Sequence, residues 1–581
     1  MKRRLLLATG GALLGGLPLP GCTTKPATGP TVPKGTGLVD IHCHLFNSSD
    51  LPTVRFIKIV VLEHYPKDAI KTLSIEDPDA LDGLIALFTW IVGRTKAPSA
   101  EDEIKVLKGE QVNLVNADDK VNESAVINAI AEFAASGAMG VSDTPEDRGI
   151  KKVRRALLRA AGDTSVSVMS GPIPDDGAKL VAERAYKSTV DLGLLLRWFG
   201  LFTRYRYVLA EKLAADHSRQ GFVPLLLCPA IVDYDNWLGE HVETSPMPRQ
   251  VEVMGRIALQ KKGPAVHGYV GFDPLRQVLF DKGIRKDYDP LQVVTDAIRL
   301  HGFVGVKLYP PMGFRAIDNE LATCQPYPDT RTFRQLLDGQ PIDPSTAKCE
   351  IRPADGSRQI GAALDKAMNR LFDTCVREGG SVIAHANDSN SGGNDYSKRA
   401  DPEFWVPVFR QWPRLSVCLA HFGHFAAVSD SQRGKPLPES SWEWTLGRHL
   451  KANPMAPVFG DISYLSEIFG KTDVDLAAYT ATLKRWMSEF DPDCQHLVFG
   501  TDWTMLGLDK SYDVFSGSVY EYFRTRVFTV GDGKDADRLK RLFSGNAARF
   551  LSLRAGDPGR KRLEAFYVKN GLPASRLPLL E

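Results

Sequence analysis

The sequence predicts an α/β protein, a distorted (β/α)8 barrel with a large α-helical insertion after its first strand. Three observations carry this. Eight short, continuously apolar segments recur along the chain, at 37–46, 223–231, 266–272, 302–309, 381–385, 415–421, 458–463 and 496–502. Helical periodicity fills most intervals between them, for example 290–300, 360–377 and 476–490. Histidines and an aspartate close several of the segments. Strands buried on both faces read as unbroken apolar runs, and strands alternating with helices indicate a parallel sheet covered by helices. Eight such units favour a barrel over an open sheet.

The first segment, Gly37-Leu38-Val39-Asp40-Ile41-His42-Cys43-His44-Leu45-Phe46, organises the rest. Alternate side chains of a strand share a face, so His42 and His44 project together and Cys43 faces the opposite layer. Two imidazoles at a strand end can grip one divalent metal. Residues 48–221 then carry helical rather than strand periodicity and form the insertion. Within it, 80–92 (Leu81, Leu84, Ile85, Leu87, Phe88, Trp90, Ile91) is too short to span a bilayer and reads as a buried helix, with an interfacial one as the alternative. Residues 123–135 are amphipathic, and 146–161 are amphipathic and basic. Residues 181–215 give one or two helices, the last placed to pack on the first strand. The barrel takes 37–47 and 222–552, and 553–581 form a C-terminal tail.

At 581 residues, 43% hydrophobic and 24% charged, the chain is an ordinary globular one. Its formal charge of +2, from 72 basic and 70 acidic residues, argues against nucleic acid as a partner. Residues 1–21 read as an export signal. Met1-Lys2-Arg3-Arg4 is basic, 5–20 is a short apolar core broken by Gly and Pro, and the paired arginines resemble a twin-arginine signal. Leu19-Pro20-Gly21-Cys22 resembles a bacterial lipoprotein cleavage site, with Cys22 as the lipid attachment point; a plain secretory signal is the alternative. Residues 22–36 form a Thr-, Pro- and Gly-rich tether. The expected location is periplasmic or membrane-anchored. Of the eight cysteines none forms a Cys-x-x-Cys pair, so a thiolate metal site has no support. Cys228, Cys375 and Cys418 read as core residues, and Cys324 and Cys349 form a candidate disulfide.

His385, His421 and Asp502 close their strands as His42 and His44 close theirs, and in a (β/α)8 barrel that end carries the active site. His267 and His496 fall at strand starts, His301 at a helix end, and His64, His217, His241 and His449 in helices or loops, so these seven read as structural. His424, three residues past His421, is within reach of the site.

The ordered set His-x-His, His, His, Asp resembles the amidohydrolase superfamily, in its amidohydrolase-related branch of metal-dependent TIM-barrel hydrolases and decarboxylases. The matching segments are Val39-Asp40-Ile41-His42-Cys43-His44, Gly305-Val306-Lys307-Leu308-Tyr309-Pro310, Ala384-His385-Ala386, Leu419-Ala420-His421-Phe422-Gly423, Val498-Phe499-Gly500-Thr501-Asp502-Trp503 and Ser544-Gly545-Asn546-Ala547-Ala548-Arg549-Phe550. The resemblance implies metal ligation by His42, His44 and His385. Asp502 would complete the shell or contact the bound water. His421 would be an acid/base or carbonyl-polarising group, or the ligand of a second metal. Three neutral imidazoles and a carboxylate would leave an open position where the pKa of a water falls toward about 7. Lys307 marks a fork: a carboxylated lysine bridging two metals, or a structural or substrate-facing lysine beside one. One ion is expected, with zinc first and manganese or iron also fitting. Tyr309, Arg315, Asn387, Tyr464 and Trp503 are candidate pocket residues. No Walker-type loop, Gly-x-Ser-x-Gly elbow or dinucleotide fingerprint is present.

The function expected is metal-dependent hydrolysis of an amide, ester or lactone in a small-molecule substrate. A non-oxidative decarboxylase or hydratase on the same site is the close alternative. A non-catalytic surface metal-binding or interaction lipoprotein is the distant one.

Overall fold

A computed structural model describes residues 32–62, 78–136, 144–161, 175–188, 191–322, 356–389, 396–423, 441–465, 468–469, 473–509 and 512–580. The expected export signal, Cys22, residues 22–31 of the tether, the Cys324–Cys349 pair, His64 and His424 lie outside them.

All eight apolar segments form strands, and every pairing is parallel. They do not form one continuous ring. Strands β1 (Thr36–Cys43), β2 (Phe222–Pro229) and β3 (Ala265–Val266) make one sheet. A second sheet runs in chain order through β4 (Tyr269–Gly271), β5 (Gly305–Leu308), β6 (Ser381–His385), β7 (Val417–Ala420), β8 (Val458–Asp461) and β9 (Leu497–Val498). The third apolar segment thus splits at His267-Gly268. Here a methyl on residue 268 would stand 3.0 Å from the Pro229 carbonyl, so the backbone passes too close to β2 for any side chain. Isolated bridges and single bonds link the sheets: Ala230 with Tyr269, Cys43 with Trp503, and Ile41 N to Phe499 O at 3.2 Å.

The apolar runs are unbroken because alternate residues enter two different cores. Val382 and Ala384 of β6 pack outward with the helices, Ile383 inward; Val417 and Leu419 of β7 pack outward, Cys418 and Ala420 inward. The inner core gathers Val39, Ile41, Leu226, Tyr269, Ile383 and Phe459 with Phe550, Leu563 and Tyr567 of the C-terminal region. Residues 553–580, expected as a tail, are therefore folded. They include the helix Pro558–Lys569, whose Tyr567 hydroxyl donates to His267 Nε2 at 2.8 Å. Cys228, Cys375 and Cys418 are buried, as their apolar neighbours suggest.

Between β1 and β2 the chain is helical, with helices at Pro78–Thr95, Ala100–Leu107, Asp119–Ser136, Pro145–Ala160, Asp175–Lys187, Asp191–Leu201 and Arg206–Arg219. Ser99 and Asp102 cap the second reciprocally, and Thr144 caps the fourth ahead of Pro145. Leu84, Leu87, Phe88 and Ile91 are buried in the first, a core helix rather than an interfacial one. Among the described residues no helix is long and apolar enough to cross a membrane. The last of the series packs on β2, and its His217 reaches Asp40 of β1 at 3.3 Å.

Candidate metal centre

Register shifts between Leu38 and Val39 and between Asp40 and Cys43 break the alternation of β1. Val39 and Ile41 enter the inner core, yet Cys43 packs in the outer one. The irregularity turns His42 toward the strand ends in its place, as bulges re-aim side chains beside sites. Asp40 holds the turn. Its carboxylate accepts from His42 N at 3.2 Å, Thr501 N at 3.1 Å and Thr501 Oγ1 at 2.7 Å, tying the ends of β1 and β9 together. Gly500 allows the approach, since a methyl there would meet His42 Cβ at 2.7 Å.

The hydrogen bonds set the tautomers. His42 Nδ1 faces the Asp461 carboxylate at 3.0 Å, and His44 Nδ1 faces the Ala230 carbonyl at 2.8 Å. Both partners only accept, so each Nδ1 carries a proton and each Nε2 is the ring nitrogen turned to the site. Ser463 Oγ donates to Asp461 and so accepts from His421 Nδ1 at 3.0 Å. Asp502 Oδ1 stands 3.4 Å from His42 Nε2 and 3.1 Å from His44 Nε2. Ligand atoms of His42, His421 and Asp502 lie within 4.8 Å of one another, the one such grouping among the described residues. Ring nitrogens this close to a carboxylate oxygen need a metal cation or a proton between them. The donor set fits a divalent ion.

Burial pulls the His42 pKa down to about 4, helped by the charge of Lys307 and opposed by Asp461, so its ring is neutral at neutral pH. Burial alone would raise the Asp502 carboxyl, but His44, His42 and His421 outweigh it and hold it far below the usual carboxylate range. Asp461 is held low in the same way, burial being overcome by His42, His421 and Ser463. Three residues closing on the site adopt left-handed backbone, His421 (φ 58°), Phe422 (φ 50°) and Asp502 (φ 60°). Such conformations cost about 1–3 kcal/mol each and persist where the surroundings impose them. Phe422 is anchored edge-on against Trp486 at 4.6 Å.

The other expected residues divide. His385 closes β6 and lies 4.8 Å from His421, ring to ring, with its Nε2 3.3 Å from the Asp388 carbonyl. Lys307 is buried on β5 with Nζ 2.8 Å from His42 Nε2; burial lowers its pKa to about 8 against the pull of Asp502 and Asp461. Tyr309 stacks 4.4 Å from His385 and donates to Ser389. Arg315 lies over the Phe404 ring, Asn387 accepts from Asp388 N, and Trp503 is buried in the outer core. His267, His496 and His217 make buried structural bonds, as their positions implied. Asp461 and Ser463 escaped sequence reasoning. The signal was an acid closing Val458-Phe459-Gly460-Asp461, the pattern that singled out Asp502.

No curated protein matches the chain. Solved structures resembling it include a protein assigned as a metal-dependent hydrolase from Lactobacillus casei, at 11% identity over 89% of this chain and 95% of that one, TM-score 0.36. Uronate isomerase from Thermotoga maritima gives 12% identity over 88% and 94%, TM-score 0.36. A protein assigned as 2-pyrone-4,6-dicarboxylic acid hydrolase from Pseudomonas putida gives 12% over 59% and 86%, TM-score 0.30. These likenesses are too distant to carry an assignment of activity. The family described as Amidohydrolase matches residues 289–553. That segment carries β5 to β9 with Lys307, His385, His421, Asp461 and Asp502, and over it the chain is similar to the amidohydrolase family.

Proposed function

We propose that the chain is a metal-dependent hydrolase acting on an amide, ester or lactone carbonyl of a small molecule. The observation that carries this is the gathering of His42 Nε2 and His44 Nε2, 3.4 and 3.1 Å from Asp502 Oδ1, with ligand atoms of His42, His421 and Asp502 within 4.8 Å of one another. These four residues would hold one divalent ion, zinc by the chemistry of the donors. Bound there, such an ion supplies Lewis acidity and lowers the pKa of water. The chain supplies the rest. Asp502, ionised throughout the neutral range, takes the proton of the attacking water on its outer oxygen and returns it to the leaving group. Asp461 and Ser463 fix the rings of His42 and His421.

The bridges between the two sheets support reading them as one distorted (β/α)8 barrel, with 48–221 inserted after β1. The basic, Gly-broken N-terminus supports export, with Cys22 as the anchor. Lys307 favours a second reading. An amine buried against His42 suits a substrate carboxylate, as non-oxidative decarboxylation or hydration needs.

The test is turnover by the metal-replete protein on lactones, amides, esters and aromatic carboxylates, scored in parallel for acid and for CO2. Acid release that vanishes on chelation and returns with zinc is the expected result. CO2 release alone selects the decarboxylase. A metal-replete protein inert on every member sinks both.

A further inference from the structure

The basic amphipathic helix marked in the sequence has no part in the proposed chemistry. Pro145–Ala160 buries Val153, Ala156, Leu157 and Leu158 against its neighbours, chiefly the helix Pro78–Thr95. Its outer face presents Lys151, Arg155 and Arg159, one turn apart and all exposed. Asp175–Lys187 packs beside it and exposes Lys179, Arg184 and Lys187, with Leu180 48% exposed among them. None of these six cations has an ion-pair partner among the described residues. Two other cations of Pro145–Ala160 behave differently, Arg148 and Lys152 both being drawn to Asp79, while Arg154 is half-buried. Of the five acids on the two helices, Glu146, Asp147, Asp175 and Asp176 fall in the first turns, away from these cations along the chain. Asp147 is bonded to Thr144 at the N-cap, and Glu183 is half-buried. A solvated helix face ordinarily intersperses both signs, and a chain of formal charge +2 has no general excess to explain six cations without one acid paired to them.

We propose that these two helices form a docking surface for the anionic headgroups of a phospholipid bilayer. The apolar face of Pro145–Ala160 is already used in the helical core, so the helix does not insert. Attraction is electrostatic, with Leu180 the one apolar side chain placed to touch the interface. Charge complementarity selects the occupant, a flat, extended array of phosphates matching an extended array of cations. The lipid expected on Cys22 would tether the chain, and these helices would turn the helical side of the molecule to the bilayer.

The full chain carrying Cys22→Ser, and hence no acyl group, tests this by co-sedimentation with vesicles of neutral phosphatidylcholine or of phosphatidylcholine with phosphatidylglycerol. Binding is expected to the anionic vesicles only. It should fall steeply between about 0.05 and 0.5 M salt, as the screening length shrinks below the spacing of the charges. Lys151→Gln/Arg155→Gln/Arg159→Gln should weaken it by on the order of a hundredfold, at about tenfold for each 1.4 kcal/mol and roughly 1 kcal/mol per cation. Lys179→Gln/Arg184→Gln/Lys187→Gln repeats the test on the second helix, should the first variant fold poorly. Equal binding to neutral vesicles, equal binding by a folded variant, or tighter capture by soluble polyphosphate would each overturn the proposal.

Discussion

Asp461 reaches His42 across 419 residues of chain to place its Oδ2 3.0 Å from the ring Nδ1, both groups fully buried. Its other oxygen accepts from His421 N and Ser463 N, each at 2.9 Å. One carboxylate therefore orients two imidazoles and holds the backbone of β8 against the residue closing β7. Asp461→Ala should weaken metal affinity by about 10–100-fold, the usual cost of losing an outer partner of a ligating histidine. It should also lower stability by about 1–3 kcal/mol, because the buried N–H groups of His421 and Ser463 would lose their acceptor and His42 Nδ1 would keep only Ser463 Oγ. Competitive zinc titration and urea denaturation read the two effects separately. Unchanged zinc affinity in a folded variant would remove Asp461 from the metal centre.

Lys307 competes for the lone pair that a metal would take. Its Nζ is 2.8 Å from His42 Nε2, so an ion bound there must displace it. Lys307→Met removes the competitor, and zinc should bind that variant at least as tightly as the parent, one ion per chain in each. A bridging carboxylated lysine predicts the reverse, two ions in the parent and one in the variant. Metal content by mass spectrometry, with and without added bicarbonate, distinguishes them.

What was legible in the sequence follows from where the physics is local. Continuous apolar runs such as Val382 to Ala384 stood out because both faces of each strand are buried, and His42, His44, His385, His421 and Asp502 because polar groups ending such runs are conspicuous. The split of the third run was hidden, since it depends on how closely Pro229 approaches Gly268. Asp461 was overlooked because an acid after an apolar tripeptide looks the same whether it caps a turn or grips a histidine. How the rings of His385 and His421 are held depends on the Asp388 carbonyl and Ser463, partners that spacing along the chain does not reveal.

His267 should give the fold a measurable sensitivity to acid. Its Nδ1 donates to Gly302 O at 2.7 Å, its Nε2 accepts from Tyr567, and burial pulls its pKa down to about 3. The unfolded chain protonates this ring near its ordinary 6.5 and the folded one does not. Its contribution is therefore complete above pH 6.5 and is lost as pH falls toward 3, at up to about 1.4 kcal/mol per pH unit. His267→Gln loses one buried bond, about 1 kcal/mol at pH 7.5, but removes this titration. Urea midpoints of parent and variant should converge between pH 7.5 and 5.5 and cross by pH 4.5, where the variant is the more stable. Parallel curves would show that His267 does not titrate on unfolding.

Arg206 ties the helical region to the loop that leaves β1. It opens the helix Arg206–Arg219, donates from Nη1 to Glu103 at 2.7 Å and from Nε to Asp50 at 2.8 Å, and is 1% exposed. Glu103 belongs to the helix Ala100–Leu107, and Asp50 to the loop leaving β1. Burial raises the Glu103 pKa even with Arg206 beside it, so without that cation the carboxylate is worse placed still. Arg206→Met should cost about 3–5 kcal/mol at pH 7, the penalty for leaving one partner of a buried pair uncompensated. Because the folded pKa of Glu103 lies above its unfolded one, protonation relieves the folded state first. The deficit should therefore shrink as pH falls from 7 toward 5. Adding Glu103→Gln to Arg206→Met should recover part of the loss at pH 7 and flatten that pH dependence. Denaturant midpoints of the three proteins across this range decide it, and a double variant no more stable than the single one would show that Glu103 is not the group left exposed by the loss of Arg206.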